Sequence, residues 1–381
     1  MRTAVVAIYV DPDFFPPTIN AILNLADLFD DVTVICRNNS VRDYPYPRNV
    51  RLKKIGNRTP VREMEKQAGW KKAFYFFKFI RAIQISTRDK KAELVLLYDP
   101  LALFAFYLVR YTVKSKKIWY HNHDMPDRSK RSLRSIGGLA AKVEHRAIKA
   151  INFFSLPDEQ RLKYYPDIPP DLPVFIMPNY PSLKVYPSQK KYISSNDPVY
   201  IIYQGFIGEG HGLEALMGVM QEKISDTDLY LVLKGSVSSS YKLSINNLAK
   251  KLEISSRIIW KDIGPYADLP AVTSSCHIGI GINKKVDNVS LTQGTASNKI
   301  YEYIACGLPV ILYDAEQFTR ILKDYNWAFF TDGTKHSIRE QIEAVLPNLR
   351  VLGVSARRTF EESLNFEMHF QPIFQSIMKA S

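Results

Sequence analysis

Residues 297–311 read SNKIYEYIACGLPVI, from Ser297 to Ile311. The pattern is a short helix over Asn298–Cys306 that stops at Gly307 and runs into a buried strand at Pro309–Tyr313. Its first turn carries Lys299. A helix N-terminus holds roughly half a positive charge and favours anions. Either the lysine is solvated and incidental, or something negative belongs beside it. Ser297 or Asn298 can cap the helix. Glu302 completes no capping box with either, because the box places the acid three residues after the cap.

The same helix-and-strand alternation extends outward. In the first half, apolar runs at Ala4–Val10, Val32–Cys36, Leu94–Tyr98, Lys117–Tyr120 and Ile151–Ser155 alternate with helical patterns at Thr18–Phe29, Trp70–Ile85, Leu101–Val113 and Gly138–Lys149. Short apolar runs separated by helices predict a parallel sheet buried on both faces. Eight prolines between Pro166 and Pro198 then interrupt the pattern. Proline removes a donor and breaks regular elements, so this stretch reads as a connector, with Val174–Met177 inside it as a last strand. The second half repeats the alternation. Its strands are Val199–Gln204, Leu229–Lys234, Ile258–Lys261, Ile278–Ile282, Pro309–Tyr313 and Ala328–Phe330; its helices are Leu213–Lys223, Tyr241–Leu252, Asn298–Cys306 and Thr334–Val345. The expected fold is α/β, with two doubly wound Rossmann-like domains facing a cleft. The expected boundaries are 1–180, a linker 181–198, 199–354, and a helical tail 355–381 packing on the first domain.

A chain of 381 residues exceeds one ordinary core, and 46% hydrophobic with 23% charged residues is a globular composition. Cys36, Cys276 and Cys306 are far apart and odd in number, which suggests neither a disulfide framework nor a zinc cluster and fits a reducing cytosol. The start, MRTAVVAIYV, is a strand pattern rather than a signal peptide. No stretch approaches the ~18 uncharged apolar residues of a membrane span. Lys plus Arg number 51 against 38 for Asp plus Glu, and the excess of +13 draws the chain toward anions. The basic residues concentrate between Arg51 and Lys91 and between Lys114 and Arg134.

In open α/β sheets the loops after the strands meet ligands. After Val199–Gln204 comes Gly205-Phe206-Ile207-Gly208-Glu209-Gly210-His211-Gly212, then a helix. Gly205, Gly208 and Gly212 allow close backbone approach to a phosphate, with His211 as an added cation; the plain reading is a flexible turn with an exposed histidine. Lys234, just past a buried strand, points either into the cleft or into solvent. Glu302 is spaced to take ribose hydroxyls from a nucleotide whose diphosphate meets Lys299; the plain reading is a surface Lys–Glu pair. In the first half, His121-Asn122-His123-Asp124 follows a strand, and Asp99 ends another. Two imidazoles and a carboxylate raise metal binding, but no third ligand cluster is evident. Asp11 and Asp13, in DPDFFP, either shape an acceptor pocket or cap the next helix.

SNKIYEYIACGLPVI resembles the donor-binding signature of retaining GT-B glycosyltransferases, glycosyltransferase family 4, in its NK-x-x-EY-x-A-x-G-x-PV form. More loosely, YDPLALF, YHNHDMPD, MPNYP and IYQGFIGEGHGLEAL follow the order of that two-domain plan, whose final helix crosses back to the first domain. The resemblance implies transfer of a sugar from a nucleotide-sugar, which is a substrate and not a cofactor, without metal and with retention of configuration. It implies Gly205, Gly208, His211, Gly212, Lys234, Asn298, Lys299 and Glu302 on the donor, with Lys299 also catalytic. It implies His123 and Asp124 at the reaction centre, and Asp11, Asp13, Asp99 and His121 beside a glycan, lipid-linked or protein acceptor. Three departures stand out: Phe206 where members often carry arginine, His211 where the later basic position is lysine, and Gly294 where the first of two paired glutamates belongs. These departures also admit a non-catalytic partner subunit that kept the fold.

The segment Gly69–Arg81, GWKKAFYFFKFIR, is aromatic and basic together. It reads equally as an interfacial helix on anionic lipid and as a core helix with a solvated basic face. A cytoplasmic enzyme, peripheral on the inner face of the plasma membrane and serving polysaccharide biosynthesis of the cell envelope, is the resulting expectation. No recognition-helix or RNA-binding pattern supports a nucleic-acid partner. A nicotinamide-dependent enzyme is the further rival, but the first strand leads into Asp11-Pro12-Asp13 rather than a glycine fingerprint.

Overall fold

The computed structural model describes residues 2–40, 44–88, 92–115, 117–123, 135–187, 198–284 and 290–380. The chain divides into two units, Met1–Asn179 with Phe366–Ser381, and Tyr180–Asn365. Unit 1 contains strands β1 (Thr3–Ile8), β2 (Asp31–Arg37), β3 (Val50–Ile55), β4 (Leu94–Tyr98), β5 (Ile118–His121), β6 (Phe153–Leu156) and β7 (Val174–Ile176). They form one parallel sheet in the order β3-β2-β1-β4-β5-β6-β7. The helices are α1 (Pro16–Leu28), α2 (Val61–Lys66), α3 (Gly69–Arg88), α4 (Asp99–Val109) and α5 (Ile136–Ala147).

Helices cover both faces of this sheet. Val5, Val95, Leu97 and Phe154 pack against Phe76, Phe79 and Ile83 of α3 and Leu103 and Phe106 of α4. Val6, Val34, Leu96 and Trp119 pack on the opposite face with Ile22 and Leu25 of α1. Burial on both sides is why these strands read as unbroken apolar runs.

Unit 2 contains β8 (Val199–Ile207), β9 (Leu229–Val237), β10 (Ile258–Lys261), β11 (Ile278–Gly281), β12 (Val310–Tyr313) and β13 (Ala328–Thr331), parallel in the order β10-β9-β8-β11-β12-β13. Its helices are α6 (Leu213–Val219), α7 (Ser239–Lys251), α8 (Leu269–Ser274), α9 (Asn298–Ala305), α10 (Glu316–Leu322), α11 (Lys335–Val345) and α12 (Leu349–Glu362). The last helix, α13 (Phe366–Lys379), belongs to unit 1. Strand order reverses beside β1 in unit 1 and beside β8 in unit 2. The carboxyl ends of those strands are the places where open α/β sheets bind ligands.

Several elements differ from the sequence reading. Strand β3 was not expected, because the run VRLKKI is basic. It is an edge strand whose residues alternate in exposure, so half of it stays polar. Helices α2, α8 and α10 have six or seven residues, too few for periodicity to reveal them. Helix α6 also ends earlier than expected, at Val219. Residues 355–381 are not one tail. Helix α12 packs on α9, where the Arg357 guanidinium donates to the carbonyl of Ala305 and, at 3.1 Å, to that of Tyr186. The helices part at Asn365, whose amide donates to the Phe360 and Glu361 carbonyls at 2.9 and 3.0 Å. Tyr180, expected at the end of the first domain, and residues 181–187, expected at the start of the linker, belong to unit 2, with Tyr186 buried in it.

Helix α13 completes one face of unit 1. Phe366, Phe370 and Phe374 stack along it, and Phe370 lies 5.9 Å from the Trp119 ring. The Lys117 ammonium donates to the Ile377, Met378 and Ala380 carbonyls at 3.0, 2.7 and 2.8 Å, closing the end of the helix with a cation. Phe370→Ala should therefore destabilise unit 1 by about 3–5 kcal/mol, the usual loss for a buried phenylalanine. Urea unfolding followed by near-ultraviolet circular dichroism measures this. An unchanged midpoint would mean that α13 only rests on the surface.

Candidate functional site

In unit 2 the site forms where β8, β9 and α9 converge. Helix α9 lies close on β11 because Gly279 has no side chain. A Cβ there would stand 2.3 Å from the Tyr303 ring. The Tyr303 hydroxyl accepts from the Gln204 backbone N–H at 2.9 Å and donates to the Ile280 carbonyl at 3.3 Å, tying α9 to β8 and β11. This seat sets the first turn of α9 at the carboxyl end of β8. Ser297 stands at the N-cap, yet its side chain makes no capping bond, and the buried Oδ1 of Asn298 has no hydrogen bond. The start of α9 thus keeps its dipole without a side-chain cap.

Lys299 extends from that turn over the end of β8. Its ammonium donates to the Tyr203 hydroxyl at 2.8 Å and lies 4.3 Å from the centre of the ring. Gly205 lines the passage. It sits at φ +111°, and a Cβ there would stand 3.7 Å from the lysine Cε and Nζ. Gly205 pairs with Gly235 across β8 and β9, where a Cβ on Gly235 would fall 1.8 Å from the Gly205 carbonyl. Burial pushes the Tyr203 hydroxyl up, so it is a neutral phenol facing a cation. The His211 ring stacks on Tyr203 at 5.2 Å, and the Tyr203 hydroxyl in turn donates to the Phe206 carbonyl at 2.9 Å. Phe206, where arginine was the expectation, is 58% exposed on the rim.

The structure therefore brings Gly205, Gly208, His211, Gly212, Asn298 and Lys299 to one end of unit 2. Gly212 is the N-cap of α6 at φ +71°. Lys234 sits beside Gln204 across β9, but its ammonium donates to the Asp262 carbonyl at the β10 side. Glu302 is not the solvated half of a surface pair, being 4% exposed. The Gln204 side-chain Nε2 donates to it at 2.5 Å, and the Thr273 hydroxyl donates to the Gln204 Oε1 at 2.9 Å. Burial raises the Glu302 carboxyl to about 7, with the Tyr266 hydroxyl, the Gln204 amide and the Lys299 charge pulling it partly back. In this structure its carboxylate faces an internal network.

In unit 1, Asp99 and His123 meet at the carboxyl ends of β4 and β5. Asp99 Oδ1 is 3.5 Å from His123 Nδ1. Asp99 holds φ +65°, a left-handed conformation that is strained for aspartate at the start of a helix. The His123 ring packs on the edge of Phe15 at 4.3 Å. Burial lowers its pKa to about 3, with help from the Arg161 charge, so His123 is neutral. Asp124 lies outside the described residues.

Two acceptor expectations change. His121 is fully buried, its Nδ1 2.8 Å from the Ser155 hydroxyl, and acts as a strut behind His123. Asp11 is also fully buried. It accepts from Lys54 at 2.8 Å and from the Asp13 amide at 3.2 Å, so it caps the turn and holds an internal ion pair. Asp13 is part-exposed. It accepts from the Tyr44 amide at 2.9 Å, and burial and Asp11 raise it to about 6. Among the described residues no group of three or more His, Cys, Asp and Glu side chains is placed to hold a metal ion.

Sequence reasoning missed Tyr203, Gln204 and Tyr303. Tyr203 and Tyr303 read as core aromatics. Gln204 did carry a signal, as an amide ending an otherwise apolar buried run.

Residues 187–351 match the family model described as glycosyl transferases group 1. No curated protein matches the chain. Among solved structures, it resembles sucrose-phosphate synthase from Thermosynechococcus elongatus with a TM-score of 0.68 at 14% identity, covering all of both chains. It resembles Anabaena Alr3699/HepE in complex with UDP and glucose with a TM-score of 0.69 at 11% identity, again over all of both chains. WaaG, a glycosyltransferase involved in lipopolysaccharide biosynthesis, aligns at 0.63 and 13% identity over 99% of this chain and 100% of that one. At these identities the likeness establishes fold: the chain has the α/β GT-B fold. The family match over unit 2 supports glycosyl transfer.

The raised carboxyl makes a prediction. Between pH 4.5 and about 7 the folded chain holds a proton on Glu302 that the unfolded chain releases. This contribution is fully present below pH 4.5 and is lost as pH rises through 7. Glu302→Gln should gain on wild type by roughly 2 kcal/mol between pH 5 and 8. Thermal unfolding across that range measures the difference. A gap that stays constant with pH would contradict a raised carboxyl.

Proposed function

We propose that the chain transfers a sugar from a nucleotide-sugar to a hydroxyl of a glycan, lipid-linked or protein acceptor, with retention of configuration and without metal. One observation carries this reading: Lys299 at the uncapped start of α9, beside the bare backbone of Gly205 and Gly235. The diphosphate lies there, against the α9 amides, Lys299, His211 and the Gly205–Gly212 loop. Phe206 offers a ring to the donor where arginine offers charge. Lys234 and Glu302 complete the donor set, with Glu302 reaching ribose hydroxyls only if Gln204 yields a hydrogen bond.

In the reaction the bond from the anomeric carbon to the diphosphate oxygen breaks, and a bond from that carbon to the acceptor oxygen forms. The acceptor proton passes to the departing diphosphate. Lys299 and the α9 amides stabilise the charge that grows on it. Neutral His123, with Asp99 and Asp124, orients hydroxyls on unit 1, and Asp13 serves the acceptor. The bound UDP and glucose of the Anabaena protein make UDP-sugars the first donors to test. The site of action is cytoplasmic, at the inner face of the plasma membrane, in assembly of envelope polysaccharide. Phe206, exposed on the rim, and Gly294, buried in a turn, favour a second reading, a non-catalytic partner subunit of a glycosyltransferase.

A thermal-shift screen of nucleotide sugars identifies the donor, and transfer is then measured with it. Lys299→Ala should lower transfer ~100-fold or more, the usual loss for a transition-state donor. Tyr203→Phe removes one hydrogen bond to the ammonium and should cost about tenfold or less, by raising KM for the donor. Wild-type rates in Lys299→Ala would refute the assignment. Donor binding with neither transfer nor hydrolysis would select the partner-subunit reading.

A further inference from the structure

We infer that the outer face of α3 is a docking surface for an anionic lipid bilayer, continuous with the end of α4. The inference rests on the inner-membrane placement proposed above and names the surface that achieves it. Trp70, Phe74, Phe77, Arg81, Ile85 and Arg88 are all exposed and follow one another at helical spacing, so they form a single stripe. Trp70 is 68% and Phe77 60% exposed. The opposite side of α3, with Phe76, Phe79 and Ile83, is spent in the core. The rings are therefore surplus to folding. Lys71 sits over the Trp70 ring at 5.6 Å and Lys78 over the Phe74 ring at 4.5 Å. The twenty residues of α3 contain no acid.

The surface continues past the helix. The Gln84 amide donates to Thr112 at 3.4 Å, which sets the turn after α4 beside α3. There Leu108 is exposed and Tyr111 is 87% exposed, with the Arg110 guanidinium 4.2 Å from the Tyr111 ring. Exposed rings interleaved with cations match the chemistry of a headgroup layer. The rings enter the acyl boundary while lysine and arginine stay on phosphate. Tyr75, in the same first turns as Trp70, packs under the Arg37 guanidinium at 4.2 Å, at the carboxyl end of β2. The Trp70 end of the stripe thus lies at the sheet edge that carries Asp99 and His123. A lipid-linked acceptor is delivered to that edge by the surface on which the helix rests.

Full-length chain is mixed with vesicles of phosphatidylcholine alone or with added phosphatidylglycerol, and binding is read by flotation and by quenching of Trp70 with brominated acyl chains. Binding is expected only with phosphatidylglycerol, and weaker at high salt. The variant K71Q/K78Q/R81Q should bind about 100-fold less tightly, near one tenfold step or less per cation. The variant W70S/F74S/F77S should lose the quenching. Both should keep wild-type thermal unfolding, because the replaced side chains are exposed. Absent binding at low salt, equal binding by the cation variant, or lipid-free self-association lost in the ring variant would overturn the inference. Donor-induced thermal shifts on the same samples are independent of lipid. A lipid failure with those shifts intact leaves the transfer reading standing.

Discussion

The organising contact of unit 2 is a lysine ammonium laid on a buried phenol at the start of a helix. Lys299 reaches Tyr203 because α9 is pinned to β8 and β11 through Tyr303 and because Gly279 lets the helix lie close on the sheet. A cation added to the positive end of a helix dipole is unfavourable unless an anion shares the site. Tyr203 holds the ammonium without neutralising it. The arrangement places the ammonium beside the Gly205 backbone, where the proposed diphosphate would meet it.

The rest of unit 2 maintains that centre. Gln204 links Glu302 to Thr273 beneath α9, a polar chain inside an apolar sheet. Such a network is costly unless fully bonded, and when bonded it fixes one arrangement. Unit 1 shows the same economy at its own carboxyl edge. His121 on Ser155 stands behind His123, and Asp11 on Lys54 stands behind Asp13. In each pair the buried inner residue backs the outer one, His121 stacked behind His123 and Asp11 accepting from the Asp13 backbone amide.

This division explains what the sequence could and could not disclose. The βα alternation was legible because parallel strands covered on both faces leave long apolar runs, and most strands fall within two residues of their expected bounds. Strand β3 hid because an edge strand keeps lysines. The break at Asn365 hid because two amphipathic helices in succession look like one. At the site, Lys299 was legible as a charge in the wrong place on a helix. Its partner Tyr203 was not, since a tyrosine in an apolar strand has no period to betray its role. Asp11 and His121 misled for the opposite reason: local sequence shows a polar residue after a strand but not whether a distant lysine or serine has already claimed it.

The central claim is that the amine of Lys299 exists for a diphosphate. Calorimetric titration of UDP and uridine, and of GDP and guanosine, into wild type and Lys299→Ala isolates that contact. For the base that binds, the diphosphate should lose about tenfold or more in affinity in the variant, the worth of a charged hydrogen bond, while the nucleoside binds both chains alike. Equal diphosphate affinity in the two chains would contradict the account.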